Sequence, residues 1–214
     1  MAAAYDSKQL AALGKKVSCK KGTTLMEAGA SPAACFYVLR GYVINCEIDE
    51  KGYTRCWGIH GQGSLILCEE LFYEQPLSTD MMAVTDCELI RIEWKVLLQA
   101  IRTDEALHLF VMKTLSRHYL DAVDELRRIR TQTMDKRLCS LLITMAEPYA
   151  RNADCEAVIG EAFSQQTLAT MLNANRITIT RTMQKLRDAG MLLPCRSRHY
   201  KISSINSLRA YIEQ

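Results

Sequence analysis

Between Phe163 and Lys201 the chain holds seven Lys or Arg against a single acidic residue, and the excess is ordered. Arg176, Thr178, Thr180 and Arg181 fall in one six-residue run, so guanidinium forks and small hydroxyls crowd one short segment. Either arginine can pair bidentately with guanine O6 and N7, worth ~1–3 kcal/mol of base discrimination, or grip a phosphate instead. Ile177, next to Arg176, cannot accept a hydrogen bond but can lie against thymine methyls, which favours A·T pairs at that step.

These residues need a rigid platform, and the surrounding pattern supplies one. Ser164 is placed to cap a helix over residues 164–172, Asn173-Ala174-Asn175 makes a tight turn, and Asn175 caps a second helix that runs to Asp188 and stops at Gly190. Leu168, Met171, Leu172, Ile179, Met183 and Leu186 would hold the two helices together. Two short helices joined this way, the second basic at its start, have the layout of a helix-turn-helix. Met191–Leu193 and His199–Ser203 flank a loop, Cys195-Arg196-Ser197-Arg198, as a hairpin wing would. Candidate DNA contacts are Ser164, Gln165, Asn175, Arg176, Ile177, Thr178, Thr180, Arg181, Lys185, Arg196 and Arg198, with Lys201 a further phosphate contact.

The remaining reactive side chains point nowhere so definite. Nine cysteines are never closer than ten residues, so there is no C-x-x-C pair and no compact zinc or iron-sulfur ligand set in sequence. Most read as small buried hydrophobes in a reducing cytosol. Cys68 and Cys195 are the thiols expected to be exposed, and either is a candidate redox switch. His60, His108, His118 and His199 are scattered; a haem sensor would need an axial ligand, for which His118 or Cys68 is the candidate. There is no G-x-S-x-G, P-loop, H-E-x-x-H or Gly-rich dinucleotide turn to support an enzyme.

With 214 residues, 49% of them hydrophobic and 24% charged, the chain has length for one large or two modest domains, and no apolar run is long enough for a membrane span. The N-terminus lacks the apolar core and cleavage site of a secretory signal. The net charge of +3 conceals an asymmetry: residues 1–131 carry 16 basic and 17 acidic side chains, residues 132–214 carry 11 and 7. From Val17 to Ile92, short runs rich in Val, Ile, Tyr and Thr alternate with glycines every 7 to 12 residues, which predicts antiparallel strands. From Thr103 to Arg130 there is neither Gly nor Pro, and Leu115, Tyr119, Ala122, Leu126 and Ile129 repeat at 4-3-4-3 spacing. A helix of that length spans about 40 Å, more than a small β domain covers, so it predicts a coiled-coil dimer seam.

The run QQTLATMLNANRITITRTMQKLRDAGML, together with KGTTLMEAGA, FYVLRGYV, DEKG, GQGSLI and AVTDCELIRI in the β region, resembles the cyclic-AMP receptor protein and FNR family. The resemblance covers nearly the whole chain. It implies an α+β fold: an N-terminal antiparallel β-roll of the cyclic-nucleotide-binding type (1–102), a long dimerisation helix (103–131) and a C-terminal winged helix-turn-helix (132–214). It implies a cytoplasmic homodimeric transcription regulator, not an enzyme, that binds a palindromic promoter and meets RNA polymerase. Effector-site positions carried over by this resemblance are Tyr42, Leu65, Leu67, Cys68, Leu77, Ser78, Thr79, Met81, Tyr119, Ala122 and Val123.

The departures from that family bear on the effector. Leu67-Cys68 stands where cyclic-nucleotide members have Gly-Glu, and Leu77-Ser78 where they have Arg-Ser. A phosphate buried without its cation costs several kcal/mol, so cyclic AMP and cyclic GMP are not expected, and no cofactor is implied beyond an apolar or aromatic small molecule. Arg102-Thr103-Asp104-Glu105 before the long helix and the β-branched Ile177 after the first recognition arginine resemble the CprK-type regulators, which bind chlorinated phenols. Redox sensing or haem-based gas sensing on the same scaffold is the alternative input.

Overall fold

The computed structural model describes residues 7–160, 163–195 and 199–214, and the chain divides into two compact units, residues 1–123 and 124–214. The first is a β-roll. After a short helix α1 (Ser7–Leu13) come β1 (Lys15–Cys19), β2 (Thr24–Met26), β3 (Ala34–Arg40), β4 (Val43–Ile48), β5 (Thr54–His60), β6 (Leu65–Ile66), helix α2 (Cys68–Tyr73), β7 (Asp80–Ala83) and β8 (Cys87–Glu93). They form two four-stranded sheets, β1-β8-β3-β6 and β2-β7-β4-β5, antiparallel throughout. Alternation along the strands sends Phe36, Val38, Val43, Ile66, Leu67, Leu77, Met81, Ala83, Cys87 and Leu89 into one apolar cluster.

The turns follow their glycines. Gly41, between β3 and β4, has φ +91°, and a Cβ there would stand 2.4 Å from the Asp86 carbonyl oxygen and 2.7 Å from the Cys87 sulfur, so no other residue fits. The Asp-Glu-Lys-Gly hairpin closes on Asp49, whose carboxylate accepts the Lys51 and Tyr53 amides while its carbonyl accepts that of Gly52.

Helices α3 (Trp94–Thr103) and α4 (Glu105–Thr131) follow. Asp104 separates them, and its carboxylate caps α4 by accepting the Leu107 amide at 3.0 Å. Helix α4 has two apolar faces, the inward one confined to its first half. Leu107, Val111 and the partly buried Phe110 and Leu115 pack on a second cluster with Leu10, Cys35, Tyr37, Leu65, Cys68, Ile90, Ile92 and Leu97. Leu109, Met112, Tyr119, Leu120, Val123 and Leu126 are exposed. Of the 4-3-4-3 stripe, Leu115 serves the roll's own core, whereas Tyr119, Ala122, Leu126 and Ile129 are exposed beside Leu109, Met112, Leu120 and Val123. Inward and outward stripes lie side by side on one helix, and spacing alone does not separate them.

The second unit holds α5 (Met134–Ala146), β9 (Ala157–Val158), α6 (Gln165–Met171), α7 (Arg176–Asp188), β10 (Leu192–Leu193), β11 (Lys201–Ile202) and α8 (Ile205–Glu213). Its small sheet has the order β10-β11-β9, so the segment between α5 and α6 contributes one strand. Asp135 ties the unit together: its carboxylate accepts from Tyr211 of α8 at 2.6 Å, from Thr133 and from Lys185 of α7. Burial raises its pKa, but these three donors outweigh burial and hold it well below the usual carboxylate range.

A depressed carboxylate pKa gives stability that is full above the unfolded value, about 3.9, and is lost as pH falls through the folded value. Asp135→Ala should therefore destabilise this unit at pH 7 by ~1–2 kcal/mol, mostly through the orphaned Tyr211 and Thr133 hydroxyls, since the solvent-facing Lys185 pair adds little. The gap between variant and wild type should narrow as pH falls below about 4. Urea unfolding at pH 7 and pH 2 measures it; equal stability at pH 7 would discount the network.

Candidate DNA-reading surface and effector region

The α6–α7 pair is built as its caps require. The Ser164 hydroxyl accepts the Thr167 amide at 3.0 Å, and the Asn175 carboxamide oxygen accepts the Ile177 amide at 2.8 Å. Asn173 takes the left-handed conformation, φ +50°, and the Ala174 amide returns to the Ala169 carbonyl at 2.9 Å. This three-residue turn fixes the angle between the helices. Leu168, Ala169, Met171, Leu172, Ile179, Met183 and Leu186 are buried beneath it. Arg137 of α5 closes the C-terminal end of α6: its guanidinium, 11% exposed, donates to the Leu172 carbonyl and to Glu125.

With Ile179, Thr182, Met183 and Leu186 buried, the rest of α7 faces solvent. Arg176, Ile177, Thr178, Thr180 and Arg181 are all exposed, Ile177 at 61%. The Thr180 hydroxyl stands 2.6 Å from Gln165 Oε1 and 2.9 Å from the Arg176 carbonyl, so Gln165 at the start of α6 is joined to the first turns of α7. Gln184, unremarked in sequence, continues the same face one turn beyond Thr180 and donates to Asp188 at 2.8 Å; the i, i+4, i+8 spacing from Arg176 was its signal.

Lys185 is placed differently. It lies nine residues from Arg176, about two and a half turns and so on the opposite side of the helix, where its ammonium pairs with Asp135 and stands 5.5 Å from the Tyr211 ring centroid. That pairing ties α7 to the start of α5. Lys201 pairs with Glu156 at 2.5 Å. The wing residues Arg196 and Arg198 lie outside the described residues.

The effector positions do not converge as expected. Leu67, Leu77 and Met81 are interior residues of one cluster, Leu65 and Cys68 belong to the other, and Tyr42 is buried with its ring against Gly61. Ser78 is exposed and Thr79 partly so, 3.5 Å from the Asn45 amide nitrogen. Tyr119, Ala122 and Val123 are exposed on α4. The expectation that Cys68 is an exposed thiol is corrected: it is buried at the start of α2, and a hydrogen bond with the Cys35 thiol followed by burial pushes its pKa well up, so it is neither a ready nucleophile nor an open ligand.

Local backbone explains the Leu67-Cys68 pair. Leu67 holds φ +68°, ψ 16°, a left-handed conformation that suits glycine, although its side chain is buried. Glu69 and Glu70 fill the first turn of α2, and each carboxylate bonds to its own backbone amide. Two carboxylates therefore occupy the electropositive end of this helix.

Glu69 is also the partner of His118 Nδ1. Burial opposes its charge, yet the His118 bond outweighs that and keeps its pKa below the usual value. The His118 ring meets His60 edge to face at 5.3 Å, and His60 Nε2 bonds Asn45 Oδ1 at 2.6 Å. Burial, with His118 adding to it, takes His60 down to about 4, so it is neutral at pH 7. Strand β5, helix α2 and helix α4 meet at this histidine pair. It was missed because 58 residues separate His60 from His118.

Comparison with known proteins places these surfaces. Residues 16–104 match the family profile described as a cyclic nucleotide-binding domain, and residues 136–211 that of a Crp-like helix-turn-helix domain. The chain is 23% identical over 172 residues, 79% of its length and 76% of the relative's, to the cAMP-activated global transcriptional regulator CRP of Haemophilus influenzae. Its fold is similar to that of FixK2 from Bradyrhizobium japonicum, with TM-score 0.77 and 16% identity over 92% of this chain and 96% of that one. It is similar also to CprK solved with OCPA, with TM-score 0.64 and 16% identity over 95% and 92%.

Proposed function

Since the chain belongs to the CRP/FNR family of DNA-binding transcription regulators, with a cyclic-nucleotide-binding-like domain and a Crp-like helix-turn-helix, we propose that it works as a homodimer on a palindromic promoter site under control of a small molecule other than a cyclic nucleotide. The observation that carries the DNA reading is the solvent-facing start of α7, where Arg176, Ile177, Thr180 and Arg181 stand on a buried core and Gln165 braces Thr180. Arg176 and Arg181 read bases or phosphate, Ile177 packs on thymine methyls, and Ser164, Gln165, Asn175 and Thr178 contact the backbone. Arg196 and Arg198 add phosphate contacts from the wing.

Dimerisation is supported by the apolar outer face of α4, which no residue of its own unit needs. Two recognition helices must enter successive major grooves about 34 Å apart, and the paired α4 helices set that spacing. The effector acts by binding one arrangement of the dimer more tightly than the other. Such a regulator works in the cytoplasm and presents its bound promoter to RNA polymerase; no helix among the described residues is long and apolar enough to cross a membrane.

Selection on randomised duplexes tests the DNA reading. It should recover a two-fold symmetric site, with affinity that falls steeply with salt as counterions are released; salt-independent binding or an asymmetric consensus would refute it. Against cyclic AMP as effector stand Leu77, where the resemblance places the arginine of cyclic-nucleotide members, and the acidic Glu69 and Glu70 at the start of α2. Calorimetry should show no heat of binding with cyclic AMP at millimolar concentration, and micromolar binding would overturn this part of the reading.

A further inference from the structure

Six of the nine cysteines meet in pairs in the first unit. Cys46 and Cys56 stand directly opposite on β4 and β5, Cys35 and Cys68 lie in one buried cluster, and Cys19 stands opposite Cys87 as the last pair of the β1–β8 ladder, packed on the cluster that holds Cys87. Directly opposed residues of an antiparallel pair have Cα atoms about 4.5 to 5.5 Å apart, inside the roughly 4.4 to 6.8 Å window that a disulfide spans.

The three pairs differ in access. Cys35, Cys46, Cys56 and Cys68 are buried, whereas Cys19 is only partly so and lies on β1, the edge strand of its sheet. Cys87 behind it is buried, with the Tyr42 carbonyl 3.4 Å from its sulfur. One thiol that solvent reaches, backed by a second that it does not, is the arrangement of an attacking and a resolving cysteine.

We propose that Cys19 and Cys87 form a thiol-oxidation site, a cross-strand dithiol that low-molecular-weight disulfides close to a cystine. The Cys19 thiolate, its proton lost to water, attacks one sulfur of the small disulfide. That S–S bond breaks, one small thiolate leaves, and a mixed disulfide remains on Cys19. Cys87 then gives up its proton and attacks the Cys19 sulfur, expelling the second small thiolate. The protein dithiol loses two electrons and two protons, and the small disulfide becomes two thiols. The link joins the first strand of the roll to the strand that runs into α3, so redox state would set how firmly the roll's ends are held without any ligand in its interior.

The surroundings make this a slow latch rather than a fast peroxide sensor. Burial, then Cys87 and Asp86, pushes the Cys19 thiol up to about 11, and the neighbouring cation Lys20 is itself bonded to Asp86 at 2.7 Å. Little thiolate is present at pH 7, and its fraction rises about tenfold per pH unit below that pKa.

The test is to hold the folded full-length protein with excess oxidised glutathione from about pH 7 to about pH 10, block free thiols, and map non-reduced peptides. The expected product is a Cys19–Cys87 peptide two hydrogens lighter than its parts and released by dithiothreitol, forming about tenfold faster per pH unit. Cys19→Ser, at a partly exposed position the fold tolerates, should leave Cys87 a free thiol, while Cys46→Ser should close as wild type does. A glutathione adduct that stays on Cys19, a link from either residue to another cysteine, or two free thiols after prolonged treatment at the highest pH would each overturn the proposal.

Discussion

Val123→Asp together with Leu126→Asp should turn the protein into a monomer and weaken its hold on a palindromic operator by about 10²- to 10⁴-fold, the advantage that joining two binding modules normally gives. Both side chains are exposed on α4, at 46% and 56%, so neither is needed to fold its own unit. Across a paired helix, however, four carboxylates would enter one apolar seam and repel each other. Leu115→Asp is the informative contrast. Leu115 packs on the cluster of Leu97, Leu107 and Val111, so a charge there should unfold the roll rather than part the subunits. Sedimentation velocity combined with circular dichroism separates the outcomes, and a dimer that survives the double substitution would remove the seam from the functional reading.

How far these elements could be read from sequence depends on the range of the interactions that make them. The caps at Ser164 and Asn175, the turn at Asn173 and the stop at Gly190 rest on neighbours within four residues, and the structure reproduces each. The strands from Ala34 to Ile66 were legible for the same reason, since alternation and Gly turns are local signals. Helix α2 was not, because six residues carry too little periodicity to stand out, and without that helix the Cys68 thiol looked open. The pairing of Lys185 was not legible because its partner Asp135 lies 50 residues away. The effector region suffers most. Leu65 and Leu67 are alternate residues around a single turn and point into different clusters, so apolar character at those positions marks core as readily as ligand contact. The cross-strand cysteines were invisible as pairs until β1 met β8 and β4 met β5.

Ile177→Glu should exchange one base preference for another, an effect larger in specificity than in affinity. With Asn175 capping α7, Arg176, Ile177 and Thr180 occupy its first two turns, the part of a recognition helix that enters the major groove most deeply. Ile177 is 61% exposed and held by no hydrogen bond of its side chain, so its one useful contact in the groove is with the 5-methyl group of thymine. Glutamate at the same place loses that contact and brings an unpaired carboxylate near phosphates, which should weaken binding to the native site by ~1–3 kcal/mol. The same carboxylate can accept from the cytosine N4 amino group, so binding should improve on a duplex carrying C·G at one symmetric position of each half-site. Thr180 sharpens the experiment. Because its hydroxyl is shared between Gln165 and the Arg176 carbonyl, Thr180→Ala should loosen the junction of α6 and α7 and weaken all sites alike, leaving the consensus unchanged. Selection on randomised half-sites with wild type and both variants decides the matter. If wild type and Ile177→Glu recover the same consensus, residue 177 does not read bases, and α7 must lie in the groove by a face other than that of Arg176, Ile177 and Thr180.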